Sequence, residues 1–152
     1  MRITPAELTA LRAKRAAPTP SSWRGGVLTV VVPGVLKNPL NARWHYYTRA
    51  RWSRTWHEKT AGAILEADQR QAWRAISALP RHVHFHAYVQ RLFDSDGLQA
   101  ALHAALKPCR DALVVYGVLS GDAERDGHVF TCQQEKSAWR GVVVTVRARG
   151  LR

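Results

Sequence analysis

Blocks of patterned hydrophobicity organise the chain. Val27 to Val32 is a β-branched run stopped by Pro33-Gly34, the pattern of a strand buried on at least one face. From Arg54 to Ala78 the apolar residues Trp56, Ala61, Ile64, Leu65, Trp73 and Ile76 recur at helical spacing, which predicts one long helix ending before Pro80. Arg81 to Leu92 alternates, with Val83, Phe85, Ala87 and Val89 on one side and His82, His84, His86, Tyr88 and Gln90 on the other, as in a strand covered on one face. Leu98, Ala101, Leu102, Ala105, Leu106, Cys109, Ala112, Leu113 and Tyr116 form a helical stripe. Pro108 interrupts it, so a kinked helix and two abutting helices both fit, and Gly117 is a plausible terminator. His128 to Gln133 and Gly141 to Ala148 read as two further strands.

At the N-terminus, Thr4-Pro-Ala-Glu7 is a helix start, with Thr4 as cap, Pro5 in the first turn and Glu7 returning a bond to the cap. That helix should run to about Arg15. Residues 17–26, rich in Pro, Ser and Gly, read as a linker, and 35 to about 53 as a basic loop. The whole predicts about four strands and two main helices, an α+β or mixed α/β domain over residues 26–152, with residues 1–25 as a helical appendage and linker.

Composition narrows the class. A chain of 152 residues, 46% hydrophobic, is long enough for one domain with a buried core. No apolar stretch approaches the roughly 18 residues of a membrane span, and Met1-Arg-Ile-Thr-Pro lacks the apolar core of a secretory signal, so a soluble, cytoplasmic protein without a membrane partner is expected. Cys109 and Cys132 make neither a disulfide framework nor a zinc quartet. Lys and Arg number 23 against 11 acids, a formal charge of +12, which favours a polyanionic partner because neutralising phosphates releases condensed counterions.

The acids are local. Asp94, Asp96, Asp111, Asp122, Glu124 and Asp126 fall between 94 and 126, whereas residues 1–93 hold only Glu7, Glu58, Glu66 and Asp68. Asp94 and Asp96, in Phe93-Asp-Ser-Asp-Gly-Leu98, lie where a strand meets a helix. If the strand persists through Leu92 they point to one side, about 6.5–7 Å apart, and can share a cation that offsets their repulsion. Magnesium takes one or two protein carboxylates plus water and phosphate oxygens, and Asp122 is the best-placed third acid. The structural alternative is that Asp96 caps the following helix and Asp94 is a solvated turn residue. Glu124 and Asp126, flanking Arg125, read as turn residues.

Residues 37–59 concentrate Lys37, Arg43, Arg49, Arg51, Arg54 and Lys59 against Glu58, interleaved with Trp44, Tyr46, Tyr47, Trp52 and Trp56. Cations grip phosphates and aromatics stack on bases, so this is the expected DNA-facing segment, with Trp56 in the core. His82, His84 and His86 share a strand face. An exposed or DNA-facing sheet surface is preferred there over a zinc site.

The order of elements from 27 to 146 resembles the RusA family of Holliday-junction resolvases of phages and prophages. It runs strand, Pro/Asn/Arg-rich loop, long helix, strand, Asp-x-Asp, Lys-bearing helix and Gly-Val-Leu-x-x-Asp. The resemblance implies Mg²⁺, with Mn²⁺ as a possible substitute, held by Asp94, Asp96 and Asp122. It also implies an assisting lysine at Lys107, whose alternative is a surface lysine beside Asp111. Pro39, Asn41 and Arg43 of Pro39-Leu-Asn-Ala-Arg-Trp44 fall on a loop that the family applies to DNA. Gly97 and Gly121 stand where the family has Asn and an acid, and Ala100 where it often has lysine. The expected partners are branched DNA, especially four-way junctions, and a second copy of the chain. The expected activity is paired, metal-dependent phosphodiester hydrolysis. A branch or flap nuclease of the same fold, and a non-catalytic nucleic-acid-binding protein, are the alternatives.

Overall fold

The structure, a computed structural model, describes residues 2–9, 17–38, 45–68, 80–93, 100–121 and 127–148. The N-terminal helix α1 is described over residues 5–9. Its capping box forms as the sequence requires: Thr4 N donates to Glu7 Oε2 at 2.8 Å and Glu7 N to Thr4 Oγ1 at 3.2 Å.

Strands β1 (Ser22–Arg24), β2 (Val27–Pro33), β3 (Arg81–Val89), β4 (Val129–Lys136) and β5 (Gly141–Ala148) form one sheet in the order β1-β2-β5-β3-β4. β3 and β4 are parallel and the other pairings antiparallel. Helix α2 spans Tyr46–Ala67 and α3 spans Ala100–Val115. This is the small α+β domain expected from the hydrophobic pattern, with one strand more than the four predicted. The added strand is β1, inside the segment read as a linker. Gly25 and Gly26, at φ 58° and 77°, make the two-residue turn that pairs Arg24 with Val27, a conformation open to consecutive glycines at low cost.

Register explains the core. On one face of the sheet the rows Leu28-Val146-Val83-Phe130, Val30-Val144-Phe85-Cys132 and Val32-Val142-Ala87-Gln134 run across β2, β5, β3 and β4. Within them Leu28, Val30, Val32, Val83, Phe85, Ala87, Val142, Val144 and Val146 are buried. Trp56, Ala63 and Ile64 of α2 and Leu102, Ala105, Leu106, Cys109 and Leu113 of α3 join the same cluster. From Ala101 to Leu113 the stripe predicted for α3 is therefore the buried face, Leu98 lying outside the described residues and Tyr116 half-buried, and the helix carries through Pro108. It ends as expected at Gly117 (φ 79°), where Gly117 N donates to the Val114 carbonyl and Val118 N to that of Leu113, the paired bonds of a Schellman cap. Cys109 is buried and free, and burial pushes its thiol up to about 11.

Several boundaries differ from expectation. β4 runs to Lys136 rather than Gln133. α2 starts at Tyr46, within the predicted loop, because His45 caps it: its ring accepts from Tyr47 N at 3.4 Å, a cap without the usual Ser, Thr, Asp or Asn. The same helix ends at Ala67, with Asp68 extended, rather than at Ala78. β3 ends at Val89, whose carbonyl accepts from Ser137 N, and the chain bends at Gln90 and Arg91 instead of staying extended through Leu92. Among the described residues, no helix is long and apolar enough to cross a membrane.

Gly141 pairs with Pro33 and Tyr88 at the end of the sheet, and an added Cβ there would come within 3.0 Å of the Trp139 ring and the Val32 carbonyl oxygen. Gly141→Ala should lower unfolding free energy by about 1–3 kcal/mol. Gly62→Ala, in an exposed turn of α2 with nothing within 4 Å, should raise it by about 0.5–1 kcal/mol. Urea midpoints of the two variants against wild type check both signs.

Candidate nucleic-acid interface

The Asp94, Asp96 and Asp122 expectations lie outside the described residues, as do those for Asn41, Arg43 and Trp44. The anchors on either side of the acids are described. Beyond the bend at Gln90 and Arg91, Phe93 turns back onto β4, where the Gln134 side chain pairs with it as a neighbouring strand would. Phe93 N donates to Gln134 Oε1 at 2.8 Å, and Gln134 Nε2 donates to the Phe93 carbonyl at 3.1 Å. Because the strand stops at Val89, strand alternation does not set the relation of Asp94 to Asp96.

The chain returning toward Asp122 is held elsewhere. Ser120 Oγ lies 3.1 Å from His128 Nε2, and His128 Nδ1 accepts from Arg81 N at 3.0 Å. His128 precedes Gln134 by six positions, so the two anchors stand about 20 Å apart along β4. Among the described residues, no three His, Cys, Asp or Glu side chains gather as a metal site.

Of the remaining expected residues, the fold brings three together. α2 and α3 flank a groove of about 460 Å³ lined by Arg49, Trp52, Arg54 and His57 from one helix and Lys107 and Asp111 from the other. Arg49 and Arg54, five positions and so about 140° apart around α2, both line the groove, while Arg51 is exposed and does not. Lys107 donates to both Asp111 oxygens, at 3.2 and 3.3 Å, one helical turn away. That pairing is the surface alternative named for Lys107, and a pair this exposed adds little stability. Lys37 lies in the chain following β2 and is not among the residues lining the groove. Trp56 is buried, and Lys59 reaches over its ring to the Pro33 carbonyl.

A second cavity, also about 460 Å³, opens at the C-terminal end of β3, lined by Asn38, Tyr88, Arg91, Leu92, Phe93 and Arg140. It adjoins the residue from which Asp94 follows. Neither Arg91 nor Arg140 belongs to the basic segment singled out by composition. They stand outside any run of charge, and only the return of the β4–β5 connection to β3 brings them together.

The sheet face away from the helices carries the histidine row. His82 Nε2 and His84 Nδ1 both reach Thr131 Oγ1, at 3.0 and 2.7 Å. His86 lies 2.6 Å from Glu135 and stacks on Tyr88, whose ring meets Trp139 edge-on.

Burial first, then the neighbouring His86 and His82 charges, holds the His84 pKa below its usual 6.5; Arg147 lowers it further and a Gln133 hydrogen bond opposes the shift. A depressed histidine pKa means that protonation favours the unfolded chain. Its stabilisation is complete above about pH 6.5 and is lost as pH falls through the folded value. The urea midpoint should therefore drop between pH 7 and pH 5, and His84→Gln should flatten that dependence. No protein-family model matches the chain and no curated protein matches it, so the functional reading rests on its own residues.

Proposed function

We propose that this protein is a Mg²⁺-dependent, structure-selective DNA endonuclease of the RusA type, resolving four-way junctions. The observation that carries the reading is the groove between α2 and α3. Arg49 and Arg54, singled out as DNA-facing, and Lys107, singled out independently through the Lys-bearing helix, line one wall-to-wall cleft with a single carboxylate, Asp111, among its lining residues. A cleft of that charge on a chain of net charge +12 attracts a phosphate backbone.

Hydrolysis is assigned to Asp94 and Asp96, with Asp122 as third ligand. The acids would hold one or two Mg²⁺ ions, which supply an activated water and stabilise charge on the attacked phosphate and leaving oxygen. Mn²⁺ would serve in their place. Arg49 and Arg54 would position the backbone, with Lys37, Asn41, Arg43, Trp44 and Arg51 extending the contact. A homodimer suits the approximate two-fold symmetry of a junction, since two related sites can nick opposing strands. A non-catalytic nucleic-acid-binding protein is the second reading. It is favoured by the Lys107–Asp111 pair and by the separation between the anchors of Phe93 and Ser120.

Wild type with Mg²⁺ should cut a synthetic four-way junction faster than linear or flap DNA; faster flap cutting would assign it to a branch nuclease instead. Asp94→Asn and Asp96→Asn should abolish cutting while junction affinity stays equal or rises, because negative charge near phosphate is removed. Asp122→Asn tests whether that acid shares the ion: cutting at the wild-type rate would restrict the site to residues 94–96. Absence of cutting by wild type, with intact junction binding, would establish the binding protein.

Arg49→Ala with Arg54→Ala should weaken DNA binding and make the dependence of log Kd on log salt shallower by about one unit per lost phosphate contact. An unchanged slope would remove the groove from the DNA surface.

A further inference from the structure

The cavity at the C-terminal end of β3 has a chemistry of its own. Arg140 is held by its backbone: its carbonyl accepts from Gly34 N at 3.1 Å, while the turn before it is tied to β3 by Ser137 N donating to the Val89 carbonyl at 3.0 Å. Trp139 N donates to Ser137 Oγ at 3.2 Å, and the Trp139 ring lies edge-on to Tyr88. The base of the Arg140 side chain is therefore fixed at the strand end. Its Nε is enclosed and has no hydrogen-bond partner among the described residues, a costly state for a donor on a cation.

Arg91 lines the same cavity and is exposed, and among the described residues no carboxylate forms an ion pair with either guanidinium. Glu135, at the same end of β4, is engaged with His86. Leu92, Phe93, Val35 and Leu36 supply an apolar wall. Two forked cations and several apolar side chains lining a space much larger than one phosphate fills suit a phosphodiester with its sugar rather than a free inorganic anion.

We propose that this cavity is a phosphodiester subsite, in which Arg140 and Arg91 hold the backbone of a DNA strand next to the segment that begins at Asp94. The subsite rests on the nucleic-acid part of the reading above and not on hydrolysis. It is distinct from the α2–α3 groove, with which it shares no lining residue.

Binding of a fluorescently labelled four-way junction and of a matched duplex, measured by anisotropy in EDTA across a salt series, tests it. Arg140→Gln and Arg91→Gln should each weaken binding about five- to tenfold and flatten the salt slope by about 0.9 per lost contact. Arg140→Lys should recover the slope and only part of the affinity, because the charge returns without the fork. Thermal melting accompanies each variant. Wild-type affinity and slope in both Gln variants would overturn the subsite. So would a weakening confined to Arg140→Gln that follows a lowered melting temperature with the slope unchanged, which marks a structural arginine; exposed Arg91 keeps the test independent of folding. A wild-type chain that binds no DNA would overturn the subsite together with the nucleic-acid reading. Arginine-dependent binding by a wild type that fails to cut with Mg²⁺ would support the subsite and overturn hydrolysis alone.

Discussion

Coverage of one sheet face by two helices is the constraint from which the remaining features follow. The rows across β2, β5, β3 and β4 place Leu28, Val30, Val32, Val83, Phe85, Val142, Val144 and Val146 under α2 and α3, and removing that apolar area from water is the main term favouring the fold. With both helices committed to that face, their outer sides are left to form the Arg49–Lys107 groove. The opposite face is left to the histidine row, which can be polar because nothing among the described elements packs over it as a layer. β5 lies between β2 and β3 and is buried on both sides at Val142, Val143 and Val144, matching its unbroken Val-Val-Val run.

Periodicity was legible wherever packing enforced it. The alternation of Val83, Phe85, Ala87 and Val89 and the stripe from Ala101 to Leu113 are the observed buried sets, since each position has a fixed partner in the core. Ends were less legible because they depend on single contacts. His45 caps α2 through a ring nitrogen, a role that carries no usual sequence mark, so the helix begins inside what composition suggests is loop. β1 had a readable signal in Gly25-Gly26, whose positive φ values suit a tight hairpin; the surrounding Pro and Ser outweighed it. Of the site, Arg49 and Arg54 came from the charge density of the sequence, and Lys107 from the resemblance alone. Arg91 and Arg140 did not, because their proximity depends on tertiary contacts between residues 34, 89, 137 and 140.

Electrostatics ties these surfaces together. A chain of net charge +12 is stabilised by whatever brings anions to it, and cations left without carboxylate partners are where that attraction is least offset. Lys107 already has its counter-charge in Asp111, so a phosphate would have to compete with a carboxylate held one helical turn away. Arg140 is the opposite case, a guanidinium with an enclosed Nε and no described ion-pair partner. On that comparison the strand-end cavity offers a phosphate the less contested cation, and the groove between the helices offers the longer basic track.

The edge strand β4 acts as the ruler for the acidic segments. Gln134 holds Phe93 through both its amide donor and its amide acceptor, and His128 holds Ser120 on one ring nitrogen and the start of β3 on the other. Gln134 lies on β4, one of the two edge strands of the described sheet, and His128 immediately precedes it, where side chains are free to pair with loops instead of packing a core. Fixing Phe93 and Ser120 to the same rigid strand limits where their chain neighbours can go, because each peptide step advances at most about 3.8 Å. A cation shared between Asp94 and Asp122 therefore requires the two segments to converge along β4 from anchors about 20 Å apart, whereas a cation held by Asp94 and Asp96 alone requires no such convergence.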